Sequence, residues 1–306
     1  MTHTSIVSYH TNPYTCGVAR FNHALARTMN LPLLSLNEYL DVGSSQEVFL
    51  SLKTEEMSPV DQDRLSRALV SKRLLFDLLL HGYVGTELER SLCLNAKLVA
   101  AASREIADQV KGFREDVISV FAPGAPEVPP APRVDCTLLT FGMAHKIRSQ
   151  GYLRLAELIV GDPRSFRLDI STALHEGGTF DEDFFTVNSE ISHVFAGNVR
   201  FLGFLADSEV SERLRTASAL VAFFPRGARE NNTTVLSAMA HGCPVVTNVD
   251  EKSPSWMVHN ETIFDIEKLK AFPEKRELQR VSSQSREIAK SLTFQELVNQ
   301  LHKSRS

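Results

Sequence analysis

The stretch from Ala219 to Thr247 leaves little choice of architecture. Ala219 to Phe224 is continuously apolar, as expected for a parallel strand covered on both faces. A polar loop follows, and Val235-Leu-Ser-Ala-Met-Ala240 then takes up a helical rhythm. Asn231, Asn232, Thr233 and Thr234 offer capping side chains at its start. His241-Gly242 ends the helix, and Pro244 opens a second buried strand, Val245 to Thr247. A helix start at the carboxyl edge of a parallel sheet is a natural anion site, and a phosphate group fits there.

The same alternation runs through the whole chain. Strands are expected at Ser5 to Tyr9, Leu33 to Leu36, Val48 to Leu52, Leu74 to Leu80, Lys97 to Ala102 and Val117 to Phe121. Helices are expected at Gly17 to Met29, Pro59 to Ser71, Thr86 to Asn95 and Arg104 to Lys111. Five prolines between Ala122 and Val134 then exclude helix or central strand and predict a stiff connector. Beyond it, strands are expected at Thr137 to Phe141, Arg167 to Thr172 and Val199 to Phe201. Helices are expected at Gly151 to Val160, Asp181 to Ile191 and Ser208 to Thr216, with one amphipathic helical tail from Arg276 to His302. Alternation on both sides of a connector predicts an α/β protein of two doubly wound domains. Their expected bounds are 1–122, a linker 123–134, a second domain 135–283, and a terminal helical segment 284–306.

Composition narrows the function classes. At 306 residues the chain can bury two cores. With 43% hydrophobic and 23% charged residues it reads as an ordinary globular protein. A formal charge of −4 gives no reason to expect nucleic acid as a partner, and at most peripheral membrane contact. Cys16, Cys93, Cys136 and Cys243 are far apart, which fits reduced thiols rather than a disulfide or metal framework. No signal-like start and no run of ~20 apolar residues is present in the sequence, so a cytoplasmic protein is expected.

Leu236-Ser-Ala-Met-Ala-His-Gly-Cys-Pro-Val-Val246 resembles the nucleotide-sugar-binding segment of GT-B glycosyltransferases, in particular glycosyl transferases group 1. There the pattern runs Leu-Glu-Ala-Met-Ala-x-Gly-x-Pro-Val-Val. Three other segments are similar to parts of that family: Asn12 to Asn22 to its opening glycine loop, Ser119 to Gly124 to its interdomain segment, and Val199 to Leu205 to the strand and loop that meet the nucleobase there. The resemblance implies a GT-B fold: two facing Rossmann-like domains, with Ser285 to Leu301 in the place of a helix crossing back to the first. It implies transfer of a sugar from a nucleoside diphosphate donor to an acceptor hydroxyl, retaining by default, with no metal and no other cofactor required. Sugar, base, acceptor and oligomeric state, a homodimer included, stay open.

The chain departs from the family at several points. Ser237 stands where the family carries the Glu that holds the ribose. Arg229 stands at the family's first Glu, with Glu230 one residue along. After the strand ending at Phe141, Gly142 is followed by Met143 where relatives carry Arg, and Gln150 where they carry Lys; Lys146 and Arg148 lie between. Donor contacts are therefore expected from Gly142, Lys146, Arg148, Phe204, Leu205, Asn231, Asn232, Thr233, Thr234 and Ser237. Arg226 and Arg229 are rival phosphate clamps. The catalytic candidates are His81, at a strand's carboxyl end with a pKa suited to neutral pH, and Glu230. On the acceptor side stand His10, Asn12, Gly17, Arg20 and Tyr83; Gly17 would let substrate approach the backbone. Asp41 and Glu87 are further carboxylates nothing in the sequence ranks. A degenerate non-catalytic protein that binds a nucleotide sugar or a protein partner, and a sugar-nucleotide epimerase, are the competing readings.

Overall fold

The structure is a computed structural model that describes residues 3–42, 46–71, 74–124, 129, 131–143, 147, 149–174 and 182–305. The chain separates into two compact units. Unit 1 comprises Met1–Ala122 with Phe294–Ser306, and unit 2 comprises Pro123–Thr293.

Unit 1 is built on six parallel strands: β1 (Ile6–Ser8), β2 (Leu33–Ser35), β3 (Glu47–Leu52), β4 (Leu75–Leu80), β5 (Val99–Ala101) and β6 (Ile118–Ser119). Their order across the sheet is β2-β1-β3-β4-β5-β6. The helices are α1 (Gly17–Met29), α2 (Leu36–Val42), α3 (Pro59–Val70), α4 (Glu87–Asn95) and α5 (Arg104–Lys111), joined by α11 (Phe294–Arg305) from the far end of the chain. Alternate residues of each strand enter opposite cores. Leu50, Leu52, Phe76, Leu78 and Leu80 pack with Tyr39, Leu65, Leu92 and Val110. Ile6, Phe49, Leu79 and Ala100 pack with Phe21 and Leu25 of α1 and Leu297, Val298 and Leu301 of α11. Burial of both strand faces explains why these strands read as unbroken apolar runs.

Asp77 interrupts that run in β4. It is fully buried, and its carboxylate meets His3 Nε2 at 2.9 Å and Arg305 Nε at 3.2 Å. Arg305, at the end of α11, also pairs with Glu47 of β3. The returning helix thus supplies both apolar cover and the cation that compensates a buried charge.

Unit 2 holds β7 (Val134–Met143), β8 (Arg167–Ala173), β9 (Val199–Gly203), β10 (Ala217–Val221), β11 (Val245–Thr247) and β12 (Phe264–Asp265), with α6 (Ser149–Ile159), α7 (Glu182–Val194), α8 (Asp207–Thr216), α9 (Thr233–Ala240) and α10 (Lys275–Lys290). Its sheet is also parallel, in the order β12-β11-β10-β7-β8-β9. Renumbered from β7, that is the doubly wound order 3-2-1-4-5-6.

Three differences from the sequence reading have local causes. Helix α2 was not expected. Ser35 and Glu38 cap it reciprocally, Glu38 Oε2 accepting from Ser35 N–H at 2.8 Å and Glu38 N–H donating to Ser35 Oγ at 3.2 Å. Strand β7 starts at Val134, inside the segment read as linker, and passes through Cys136 at φ 61°. The tail is two helices rather than one. Ser291 to Thr293 break it, and the chain passes there from unit 2 to unit 1. No helix among the described residues is long and apolar enough to cross a membrane.

Candidate active site

Each sheet reverses its winding between two strands, and the carboxyl ends of those strands are where doubly wound proteins bind ligands. In unit 2 the pair is β7 and β10. The turn after β10 is tied down on several sides. Asn248, just past β11, accepts from Phe224 N–H at 2.8 Å and donates to Phe224 O at 2.7 Å. Gly227 takes φ 76°, a left-handed conformation that glycine adopts without strain. Arg229 is only 7% exposed, and its two terminal nitrogens donate to Asp250 at 2.8 and 2.9 Å.

This geometry corrects two expectations. Arg229 is committed to Asp250 and braces the turn; it is not projected as a phosphate clamp. Nor does a side chain cap α9. Its N-cap is Asn232, which makes no side-chain cap bond and instead accepts the Arg229 N–H at 2.6 Å. The start of α9 is therefore set by the turn and not by capping hydroxyls. Glu230 is buried beside it at 8% exposure. Asn231, Thr233, Thr234 and Ser237 form the half-buried face of this segment. Arg226 is exposed. The connector approaches closely here, because a Cβ on Gly124 would sit 2.4 Å from the Ser237 nitrogen and the Leu236 carbonyl carbon.

Gly142 and Met143 are the last residues of β7, at the carboxyl edge beside β10. Lys146 and Arg148 lie outside the described residues. At the end of β9, Gly203 at φ 66° accepts a hydrogen bond at its carbonyl from Ser171 Oγ at 2.9 Å. Phe204 is then left 50% exposed while Leu205 is buried.

In unit 1 the reversal falls between β1 and β3. His10 follows β1, and Lys53, Glu55 and Glu56 follow β3. His10 Nε2 meets Glu56 Oε2 at 3.2 Å, and Lys53 pairs with the other Glu56 oxygen. The His10 bond holds the Glu56 carboxyl down to about 2, against its burial and helped by Lys53. Cys16 is the residue before α1 and its side chain makes no cap bond; burial pushes its thiol up, opposed by the backbone N–H groups of Ala19 and Val18. Donor atoms of His10, Cys16 and Glu56 lie within 4.8 Å of one another, as do those of His3, Glu47 and Asp77. Both sets already hold a cation beside them, Lys53 in the first and Arg305 in the second, which opposes a metal ion.

His81 sits at the end of β4. Its Nε2 is 2.8 Å from Ser51 Oγ, and its ring packs edge-on against Phe21 at 5.0 Å. Burial, with Lys53 adding to it, pushes the imidazole down to about 3. It is therefore neutral at pH 7. The loop behind it is fixed by buried Glu89, which accepts from Val84 N–H, Thr86 N–H and the Thr54 hydroxyl. Gly17 opens α1, exposed, and a Cβ there would meet nothing within 4 Å. Three of the acceptor-side candidates have local duties. Asn12 accepts Tyr14 N–H, Arg20 donates to Pro13 O, and Tyr83 stacks on Phe113 at 6.3 Å. Asp41 pairs with Arg64, and Glu87 stands exposed in the first turn of α4.

No family model and no curated protein sequence matches the chain. Solved structures do. HepE of Anabaena, in complex with UDP and glucose, aligns over 99% of both chains with a TM-score of 0.74 at 13% identity. A glycosyltransferase from Rickettsia africae aligns over 100% of this chain and 98% of its own, at 0.69 and 10%. TarM of S. aureus aligns over 89% of this chain and 58% of its own, at 0.65 and 11%. The fold is GT-B.

The carboxyl edges of both sheets are rich in polar side chains. Sequence reasoning passed over Asp250, Glu56, Lys53, Ser51 and Asn22. The run Lys53-Thr-Glu-Glu56 directly after a buried strand was a signal that could have found the unit 1 charges. Nothing in the sequence distinguishes Asn22 from an ordinary helix residue.

Proposed function

We propose that this protein is a glycosyltransferase that moves a sugar from a nucleoside diphosphate donor, UDP-sugars first, to an acceptor hydroxyl. The observation that carries the reading is the start of α9 beside buried Glu230, held at the sheet-reversal point of unit 2 by Arg229 and Asp250. HepE of Anabaena, whose fold this chain shares, is solved in complex with UDP and with UDP-glucose. In the reaction, the acceptor oxygen bonds to the anomeric carbon while the bond from that carbon to the diphosphate oxygen breaks. The electron pair leaves with the diphosphate, and the acceptor proton goes to the departing phosphate oxygen. Negative charge grows on the leaving group, and backbone N–H groups at a helix start can stabilise it without a metal.

Lys146 and Arg148 supply the cationic part in this reading. Glu230 and Ser237 take the ribose, and Phe204 the base. His81, on unit 1, meets the sugar or the acceptor. Retention of anomeric configuration follows the family that the Leu236 to Val246 segment resembles.

A thermal-shift screen with UDP, GDP, ADP, CMP, dTDP and their sugar conjugates, with and without magnesium, tests this. A ligand at ~100 times its dissociation constant adds about 2.7 kcal/mol. The expected result is a magnesium-independent rise with one nucleotide, absent in the Lys146→Ala, Arg148→Ala double variant. Silence across the panel would sink the reading and favour a non-catalytic partner-binding protein. Donor breakdown or isomerisation without any acceptor would favour an epimerase.

A further inference from the structure

Five groups of unit 1 form one unbranched hydrogen-bond chain. Ser8 Oγ is 2.9 Å from the His10 carbonyl oxygen, and Asn22 Nδ2 is 2.8 Å from Ser8 Oγ. Ser51 Oγ is 2.6 Å from Asn22 Oδ1, and His81 Nε2 is 2.8 Å from Ser51 Oγ. The direction of every link follows from the first. A carbonyl oxygen only accepts, so the proton between Ser8 and His10 belongs to Ser8. A hydroxyl has one proton, so Ser8 must accept from Asn22, which can only donate through its NH2. The Asn22 oxygen then turns to Ser51, and Ser51 gives it its single proton. Ser51 has only an acceptor left for His81, so the imidazole proton is on Nε2.

The reverse order fails at the anchor. If Asn22 were flipped, Ser8 would donate to it, and two oxygens would stand 2.9 Å apart with no proton between them. Ser8, Asn22 and Ser51 are fully buried, so water does not relieve the constraint. A neutral ring protonated on Nε2 carries its lone pair on Nδ1, and among the described residues no group donates to it.

We propose that Ser8, Asn22 and Ser51 are positioning residues that lock His81 as a hydrogen-bond acceptor through Nδ1. Its part in the chemistry is then to receive a hydrogen bond from a hydroxyl of the sugar or acceptor, and never to donate one. The second statement rests on the glycosyl-transfer reading; the first does not. Burial favours the same neutral form and keeps it neutral through the physiological range.

The test is a long-range proton–nitrogen correlation spectrum of the histidine rings in the ligand-free full chain from pH 5 to 8. His81 is assigned by its loss in His81→Gln. The expected spectrum shows one tautomer, Nε2 protonated and Nδ1 bare, unchanged across that range. Ser8→Ala, three links from the ring, removes the anchor and should replace the single tautomer with a mixture, an effect that mere packing would not produce. A proton on Nδ1, an imidazolium at pH 6, or an undisturbed tautomer in Ser8→Ala overturns the proposal. A negative nucleotide screen leaves this result untouched, so the two failures are distinguishable.

Discussion

His81 and Glu56 give the acid side of the stability profile a definite sign. An unfolded histidine binds a proton near pH 6.5, whereas folded His81 resists it down to about 3. Between those values the unfolded state holds more protons, so stability falls as pH drops below 6.5. Glu56 adds to this lower down. Its stabilisation is complete above the unfolded carboxyl value of ~4.3 and is lost as pH falls towards about 2. Full linkage of His81 from pH 6.5 to 5 would be ~2 kcal/mol, and its partly exposed ring reduces that to ~1 kcal/mol. Unfolding free energies from urea titrations at pH 7 and pH 5 should differ less in His81→Gln than in the wild type by that amount; an equal difference would show that His81 protonates freely. In unit 2, Asp250→Ala removes the carboxylate paired with the buried Arg229 guanidinium, which keeps Ala228 O and Ser253 Oγ as acceptors, and should cost ~2 kcal/mol, less than a fully buried pair because Asp250 is partly exposed. Pairing it with Arg229→Met should recover part of that loss in the same denaturation assay. Chemistry at this scale was half legible. His81 stood out in sequence because it ends a buried strand, and Glu230 only through the family pattern that its neighbour Arg229 aligns with. Asp250, Ser51 and Asn22 did not, because each acquires its role from a partner 14 to 30 positions away, which only tertiary contact brings close.

Elements were more legible than side chains, for a physical reason. A strand buried on both faces announces itself as an apolar run, and Glu47–Leu52, Leu75–Leu80 and Val245–Thr247 were all readable that way. Short elements fixed by a few polar bonds were not, as α2 and β12 show. The tail misled because α10 and α11 are both amphipathic and only three residues separate them. The consequence of that break is large, since α11 belongs to unit 1. It covers Phe21 and Leu25 and brings Arg305 to Asp77. Arg305→Ala leaves Asp77 with His3 alone and should cost ~3 kcal/mol. Asp77→Asn, which removes the charge to be compensated, should make the loss of Arg305 much cheaper, so a coupling near zero in the double-mutant cycle would refute this compensation. In unit 2, Gly124→Ala places a methyl 2.4 Å from the α9 backbone, where no flexible side chain can give way. Displacing the start of α9 should weaken nucleotide binding at least tenfold while circular dichroism stays unchanged.

At the scale of the whole molecule, the proposed function divides the labour between the two sheet-reversal points. In unit 2 the groups next to β7 and β10 are backbone N–H donors, hydroxyls and a buried Glu, with the exposed Phe204 beyond β9 on the same edge, a set that suits a nucleoside diphosphate in the proposed reading. In unit 1 the groups next to β1 and β3 are titratable, with His10, Glu56, Lys53 and the neutral His81 a strand away, suited to hydroxyl chemistry. Free UDP carries no transferable sugar and no acceptor. If the division is real, its affinity depends on unit 2 alone. Titration calorimetry should then find UDP binding weakened at least tenfold by Asp250→Ala, through movement of the braced turn, and unchanged within about twofold by His81→Ala. Turnover of a nucleotide sugar should respond to both variants, with His81→Ala lowering kcat at unchanged nucleotide affinity, as expected for a group whose contact matters in the transition state. A loss of UDP affinity in His81→Ala would place the nucleotide against unit 1 and end this assignment of roles.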